Sequence, residues 1–444
     1  MGTWLTFMQE VSAVDAESKL GEVARAGAAT LLGAVIAEQV MLRDGVRRLA
    51  HLSPPEVARA TSLASLVLRQ MAALDGVLDQ FMDRRPPLKV QNVCRICAAE
   101  VLIEGIASHG AVNGAVSIVK RDRKNARFSG LVNAVCRKLT GQTLPVTAPQ
   151  PLPKAIRGAL IGAYGHDVTE AIEAAHSLRP PVDLTVKSDP KAWAEKLDGT
   201  VLPNGSVRVQ PGTQLSALPG FEDGDWWVQD AAAAVPVTLL GDVGGKRVLD
   251  LCAAPGGKTM QLAAAGAQVT ALDVAADRME RVAENLARTK LQAEMVVADA
   301  LNWEPDAPFD TILLDAPCSA TGTIRRHPDL PFVRPSLDLK PLLDLQAALI
   351  DRAAGWLTPG GMLVYSVCSL IPVEGERQID RALSRGVLQP ADAPCLDPAW
   401  KINSHSLRLR PDFWPDLGGM DGFFAALLQK PAKKPDVDTE SRAA

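Results

Sequence analysis

From residue 245 onward, short aliphatic runs alternate with amphipathic helical stretches, and no other feature restricts the possible folds as strongly. Lys246–Leu251, Gln268–Asp273, Glu294–Ala298, Thr311–Asp315 and Met362–Ser366 read as strands. Helical patterns follow the first and second, over 258–265 and 276–288, and a long one over 338–357 precedes the fifth. Such alternation builds a mostly parallel sheet with helices on both faces, since each crossover helix buries its apolar stripe against the sheet. Residues 236–430 are therefore expected to form an α/β, doubly wound, Rossmann-like domain. Ligands of such sheets lie outside the carboxyl ends of the strands.

The chain before this domain has a different rhythm. Residues 20–140 carry apolar residues at three- and four-residue spacing, as in Leu63, Leu66, Val67, Met71 and Leu74, or Val93, Ile96, Cys97 and Val101. That spacing predicts amphipathic helices in an all-α domain. Ser53-Pro54-Pro55-Glu56 reads as a capped helix start, and Gly110 as part of a loop between helices. The proline-rich stretch 141–155 reads as a linker. Residues 156–235 mix a helical pattern with short strands (Val182–Val186, Ser206–Val209), a small α+β subdomain. The tail 431–444 is expected to be disordered.

Composition narrows the class. The 444 residues are 47% hydrophobic and 22% charged, ordinary for a globular protein, and no run of eighteen apolar residues suggests a membrane span. The first twenty residues carry acids and lack the basic start and apolar run of a signal peptide. A cytoplasmic location and reduced cysteines are the expectation. Net charge is −4, but residues 15–145 hold 18 Lys+Arg against 12 Asp+Glu, leaving 29 against 39 elsewhere. A basic N-terminal part hints at an anionic partner. Lys120, Arg121, Arg123 and Lys124 are its densest run, read either as a solvated face or as phosphate contacts.

Strand one ends in Cys252-Ala253-Ala254-Pro255-Gly256-Gly257-Lys258. Small residues and paired glycines between a strand and a helix let a ligand approach the backbone, and the helix start offers free N–H groups. The spacing of a phosphate-binding P-loop is absent, because Cys252 stands where its first glycine would be. Asp273, Asp299 and Asp315 follow at the ends of strands two, three and four. Three acids on one rim suit a nucleoside, with Asp273 on the ribose hydroxyls and Asp299 bordering the adenine. The alternative is that they only cap the following helices.

Cys318 and Cys368 fall just beyond the tips of strands four and five. A single cysteine there is commonly a small buried hydrophobe; two on adjacent strand ends point to chemistry. A thiolate that adds to carbon 6 of cytosine makes carbon 5 enamine-like and able to take a methyl group, after which loss of the carbon-5 proton and of the thiolate releases the product. By contrast, Cys94 and Cys97 lie on a helical pattern with no second pair, and the histidines lack ligand spacing, so no metal is expected.

The Pro255–Thr259 segment PGGKT, the Asp315–Gly322 segment DAPCSATG and the Val367–Ser369 segment VCS together resemble RNA 5-methylcytosine methyltransferases of the Nop2/Sun type. The resemblance implies S-adenosylmethionine as cofactor, bound by Cys252–Lys258, Asp273, Asp299 and Asp315. It implies Cys368 as nucleophile, Cys318 as an aid to release, and Asp315 and Lys258 beside the target base. DNA cytosine methyltransferases instead use the cysteine after strand four. Gly322–Asp329 (GTIRRHPD), Arg179-Pro180-Pro181, Trp227–Ala231 and Asp421–Phe424 (DGFF) resemble bacterial Sun/RsmB proteins, which modify small-subunit ribosomal RNA. Ala111–Gly114 and Phe128–Val135 resemble the RNA-binding NusB domain. Residues 20–430 take part in the resemblance; one departure is Val367, where threonine is usual.

The expectation is a multidomain chain: an all-α NusB-like domain, a small α+β subdomain, and a doubly wound methyltransferase domain acting on 16S ribosomal RNA. Arg325, Arg326 and His327 are expected near the cleft mouth, in contact with RNA. A monomer is expected. Transfer RNA as substrate, or a non-catalytic RNA-binding factor on the same fold, stay open as alternatives.

Overall fold

The computed structural model describes residues 21–144 and 149–432; the expectations for the first twenty residues and for the tail beyond 432 lie outside the described residues. The chain divides into two compact units. The first runs to Arg179 and includes Ile324–Leu337; the second comprises Pro180–Thr323 and the chain from Asp338.

The first unit is helical. Its main helices are α1 (21–38), α2 (Pro54–Leu78), α3 (Leu88–Leu102), α4 (Ser108–Arg121), α5 (Ser129–Arg137), α6 (Lys154–Tyr164) and α7 (His166–Ser177). The start of α2 is set locally: Glu56 Oε2 accepts the backbone N–H and the hydroxyl of Ser53, each at 2.8 Å. Pro54 and Pro55 follow, where a missing N–H costs nothing. The three-and-four spacing places Leu63, Val67 and Leu74 of α2 in one core with Val93, Ile96 and Cys97 of α3. Cys94 and Cys97 are buried there beside Cys136. Gly110 is not in a loop as expected. It lies in the first turn of α4, donating its N–H to Ala107 O at 3.1 Å, and the loop precedes it.

The proline-rich stretch is less of a divide than its composition suggests. Glu173 of α7 accepts the Leu152 N–H at 2.9 Å and Arg157 Nε at 3.0 Å. Arg69 and Gln70 of α2 donate to the carbonyls of His176 and Ser177 at 3.1 and 3.0 Å. These bonds hold α6 and α7 to the helical unit, so the units part at Arg179–Pro180 rather than within 141–155. Ile324–Leu337 is tied to the same unit by Asp329, whose carboxylate accepts the Leu42 N–H at 2.7 Å.

In the second unit, β1 (Val182–Val186), β2 (Thr200–Val201), β3 (Val207–Val209) and β4 (Trp226–Val228) form a small antiparallel sheet in the order β2-β3-β1-β4. The buried carboxylate of Asp183 receives Arg208 Nε and Nη2 at 2.6 and 2.8 Å, and the Ala231 N–H at 2.9 Å. The last bond joins this sheet to α8 (Ala231–Thr238). The large sheet follows: β5 (Arg247–Leu251), α9 (Gly257–Ala264), β6 (Gln268–Asp273), α10 (Ala276–Thr289), β7 (Glu294–Val297), β8 (Phe309–Asp315), α11 (Lys340–Trp356) and β9 (Leu357–Val367). It continues through α12 (Glu376–Ser384), β10 (Gln389–Pro390), β11 (Ser406–Leu409) and β12 (Phe423–Gln429). The order is β7-β6-β5-β8-β9-β12-β10, with β11 beside β12. The five strands expected from the sequence are the parallel ones, and β12 runs antiparallel to β9. No helix among the described residues is long and apolar enough to cross a membrane.

His176 is fully buried in the helical unit, and both ring nitrogens lack a hydrogen-bond partner. Burial, with Arg325 and Arg69 nearby, holds its pKa down to about 3 against 6.5 normally. The unfolded chain thus binds the extra proton first as pH falls, so the stability contributed by neutral His176 is complete above pH 6.5 and is lost below it. At pH 5 the loss is about 2 kcal/mol. Urea unfolding at pH 7 and pH 5 is expected to show this slope in the wild type and a shallower one in His176→Leu.

Candidate active site

The carboxyl edge of the large sheet gathers the expected residues because β5 lies between β6 and β8. The loop after β5 turns sharply: Cys252 has a φ of 65° and Gly256 a φ of 97°, a conformation glycine reaches without strain. A side chain on Gly256 would also meet Val282 Cγ1 of α10 at 3.1 Å. The N–H groups of Cys252 and Ala253 both reach back to Leu272 O, at 2.8 and 3.1 Å, pinning the loop over β6. Burial pushes the Cys252 thiol well up, so it stays protonated. Asp250 beneath the loop is fully buried, bonded to Thr259 Oγ1 at 2.5 Å, and burial raises its pKa to about 6.

The two upstream rim acids differ. Asp273 accepts the Ala254 N–H at 3.2 Å and the Ala275 N–H at 3.0 Å, one on each oxygen, and Arg278 lies 3.7 Å away. Each oxygen keeps a further lone pair for a ligand hydroxyl. Asp299 is exposed, and its carboxylate accepts the Leu301 N–H and the Asn302 amide at 2.9 and 2.7 Å, so in this state it caps a turn. Beside Asp273, Val274 is 69% exposed, an apolar surface on the rim that sequence periodicity did not single out.

Asp315 closes β8. Its carboxylate is held from two sides, by Lys258 Nζ at 2.7 Å and by Ser366 Oγ at 2.9 Å. Lys258 is largely buried, and its ammonium also lies 5.1 Å from the Phe423 ring centroid. In the β8–β9 ladder Asp315 pairs with Ser366, which sends both cysteine segments off adjacent strand ends together. Cys318 Sγ and Cys368 Sγ consequently stand 3.4 Å apart. The hydrogen bond with Cys368, reinforced by burial, holds the Cys318 thiol far above its usual range. Val367, where threonine was noted as usual, is fully buried and pairs with Phe424 of β12.

The sequence reading missed the polar cluster behind the thiols. Ser319, Thr321, Ser369, Glu374 and Gln346 are all buried and mutually hydrogen-bonded. The signal was present as a serine directly after each cysteine, but sequence distance hid their common partner. Arg325 requires a correction. It was expected at the cleft mouth on RNA, yet it is 2% exposed and buried in the helical unit with Ile324–Leu337. Arg326 is exposed and His327 partly so. Lys120, Arg121, Arg123 and Lys124 are all exposed, with Arg121 paired to Glu22 at 2.7 Å. Among the described residues no group of three or more His, Cys, Asp or Glu is arranged to hold a metal ion.

Residues 237–429 match the family model described as 16S rRNA methyltransferase RsmB/F, and residues 22–140 match the NusB family. Ribosomal RNA small subunit methyltransferase B of Cronobacter sakazakii is 36% identical over 367 residues, covering 75% of this chain and 83% of that protein. Its counterpart in Escherichia coli is 34% identical over 408 residues, covering 85% and 92%. The crystal structure of PH0851 shares the fold at a TM-score of 0.68, with 21% identity over 91% of this chain and 99% of its own. A methyltransferase homolog from Pyrococcus horikoshii aligns at a TM-score of 0.51 and 28% identity over 62% and 93%. A thiol pair beside a lysine–aspartate pair on a Rossmann-like sheet, joined to a NusB-like helical domain, is the architecture of an RNA methyltransferase. The chain belongs to the 16S rRNA methyltransferase RsmB/F family.

The thiol segments depend on backbone contact that no side chain permits. Gly322 donates its N–H to Cys368 O at 3.0 Å and accepts the Gly422 N–H at 2.8 Å. A Cβ on Gly322 would stand 2.0 Å from Gly422 O. Gly322→Ala is expected to cost about 3 kcal/mol in denaturant unfolding, since backbone must move to admit it.

Proposed function

We propose that this enzyme transfers the methyl group of S-adenosylmethionine to carbon 5 of a cytosine in 16S ribosomal RNA, with Cys368 forming a transient bond to the base. The 3.4 Å approach of two thiols on adjacent strand ends, next to the Lys258–Asp315 pair, carries this reading. The rim suits the cofactor. Asp273 keeps an acceptor on each oxygen for ribose hydroxyls, and Val274 offers an apolar face for a flat ring beside it. The Cys252–Lys258 loop leaves room for close backbone approach. When bound, S-adenosylmethionine supplies an electrophilic methyl group.

Cys368 gives up its thiol proton to solvent and its sulfur adds to carbon 6 of the cytosine, and the carbon 5–carbon 6 double bond shifts electron density toward carbon 5 and N3. The Lys258 ammonium and its Asp315 partner supply positive charge and a hydrogen-bond site where that density accumulates. Cys318, kept protonated, donates its S–H to the Cys368 sulfur and stabilises it as a thiolate before attack and again as it departs. Once carbon 5 has used that density to bond the methyl group, the carbon-5 proton leaves to solvent, its electron pair restores the double bond, and the carbon 6–sulfur pair returns to Cys368. Lys120, Arg123 and Lys124 present charge for the RNA backbone. This activity is placed in the cytoplasm, with the ribosomal RNA it modifies.

Bisulfite sequencing of ribosomal and transfer RNA tests the reading in a host lacking the gene, restored with wild-type or Cys368→Ala protein. One small-subunit cytosine is expected to lose its signal and regain it only with the wild type. In purified form Cys368→Ala is expected to lower methyl transfer at least about 10³-fold. Loss confined to transfer RNA would move the substrate, and no loss at any cytosine would overturn the reading. Replacing Lys120, Arg123 and Lys124 by alanine is expected to lower the slope of log affinity against log salt by about 2, measured by filter binding.

A further inference from the structure

We propose that Glu374 is a positioning residue for this reaction: its buried carboxylate ties together the residues that follow the two cysteines and so sets the approach of Cys318 to Cys368. The inference rests on the catalytic reading above and deepens it.

Glu374 is fully buried, where a carboxylate is retained only if donors satisfy it. Oε1 accepts the Ser319 N–H at 2.8 Å and Gln346 Nε2 at 3.2 Å. Oε2 accepts Ser319 Oγ at 2.6 Å and Ser369 Oγ at 2.5 Å. Ser319 directly follows Cys318, and Ser369 directly follows Cys368. One anion therefore spans two segments about fifty residues apart, and short charge-assisted bonds of this kind resist stretching. Gln346 extends the clamp from α11, donating also to Pro317 O at 2.8 Å, the residue before Cys318. Tyr365 of β9 holds Glu374 itself, its hydroxyl donating to the Glu374 carbonyl at 2.6 Å. The negative charge has a second effect. It adds to the Cys368 hydrogen bond and the burial that hold the Cys318 thiol above its usual range, which favours Cys318 as the donor of the bond between the two sulfurs. Placement of the two thiol segments thus converges on one side chain, whose charge also adds to what holds the proton on Cys318.

The test compares full-length wild type, Cys318→Ala, Glu374→Gln and Ser369→Ala on 16S ribosomal RNA. Turnover, the fraction of protein bound covalently to RNA on a denaturing gel, and S-adenosylmethionine affinity by calorimetry are measured. Glutamine keeps the size of Glu374 but places a donor against donors and removes the charge. Glu374→Gln is expected to slow turnover about tenfold and raise the adduct fraction about fivefold, with cofactor affinity within about twofold. Ser369→Ala is expected to shift the same ratio in the same direction, and it decides the matter if Glu374→Gln does not fold. Turnover that falls with an unchanged adduct fraction, or together with cofactor affinity, would reduce Glu374 to a structural role and overturn the proposal. If Cys318→Ala traps RNA while both other variants behave as wild type, the positioning idea alone fails. If the wild type makes no 5-methylcytosine and Cys318→Ala no adduct, the catalytic reading fails first.

Discussion

In the parallel ladder between β8 and β9, Asp315 lies opposite Ser366, and most of the site depends on that pairing. Parallel neighbours end on the same side of the sheet, so the segments leaving them emerge side by side. Cys318 is three residues past Asp315 and Cys368 two past Ser366, which brings the sulfurs to 3.4 Å. A slip of one residue would turn Ser366 away from Asp315 and carry Cys368 to the other face. The register is guarded from both flanks. The β8–β9 register shifts between Phe309 and Thr311, is regular from Thr311 to Asp315, and β12 pairs with β9 from Met362 to Val367 on its far side.

Charge around the thiols is arranged in two separate layers. Toward the cleft, Lys258 answers Asp315 at 2.7 Å and is steadied by the Phe423 ring. Behind the thiols, Glu374 is satisfied by hydroxyls, an amide and a backbone N–H. In the reaction proposed above, the Lys258 layer faces the space where a base would gain electron density, while the Glu374 layer lies on the side of the thiol assigned to keep its proton. The two glycines Gly322 and Gly422 let the backbone of the DGFF segment press directly against the segment that follows Cys318.

The helical unit shows a different economy. Ile324–Leu337 leaves the methyltransferase unit after Thr323, is built into the helical one, and returns at Asp338. Its polar residues serve folding there. Asp329 caps the chain at Leu42, and Arg325 is buried near His176 and Arg69. A motif that looks basic and exposed in one dimension thus divides its roles, with Arg326 left on the surface.

Much was legible in the residues alone. The five parallel strands, the capped start of α2, the glycine loop after β5 and the two strand-end cysteines follow from periodicity and turn chemistry, which act over a few residues. Gly110 within a helix, the unit boundary at Arg179 instead of the proline-rich stretch, the burial of Arg325 and the clamp at Glu374 did not. Apart from Gly110, whose helix start is local, these are decided by partners far away in the chain: Glu173 for Leu152, α2 for the carbonyls of α7, and Ser319 for Glu374. Local rules determine which elements form and which side chains stand at their ends. Which of those side chains meet, how deeply they are buried and which carry a proton is settled only when the sheet closes and water is excluded, because hydrogen bonds and charges take their strength from that environment.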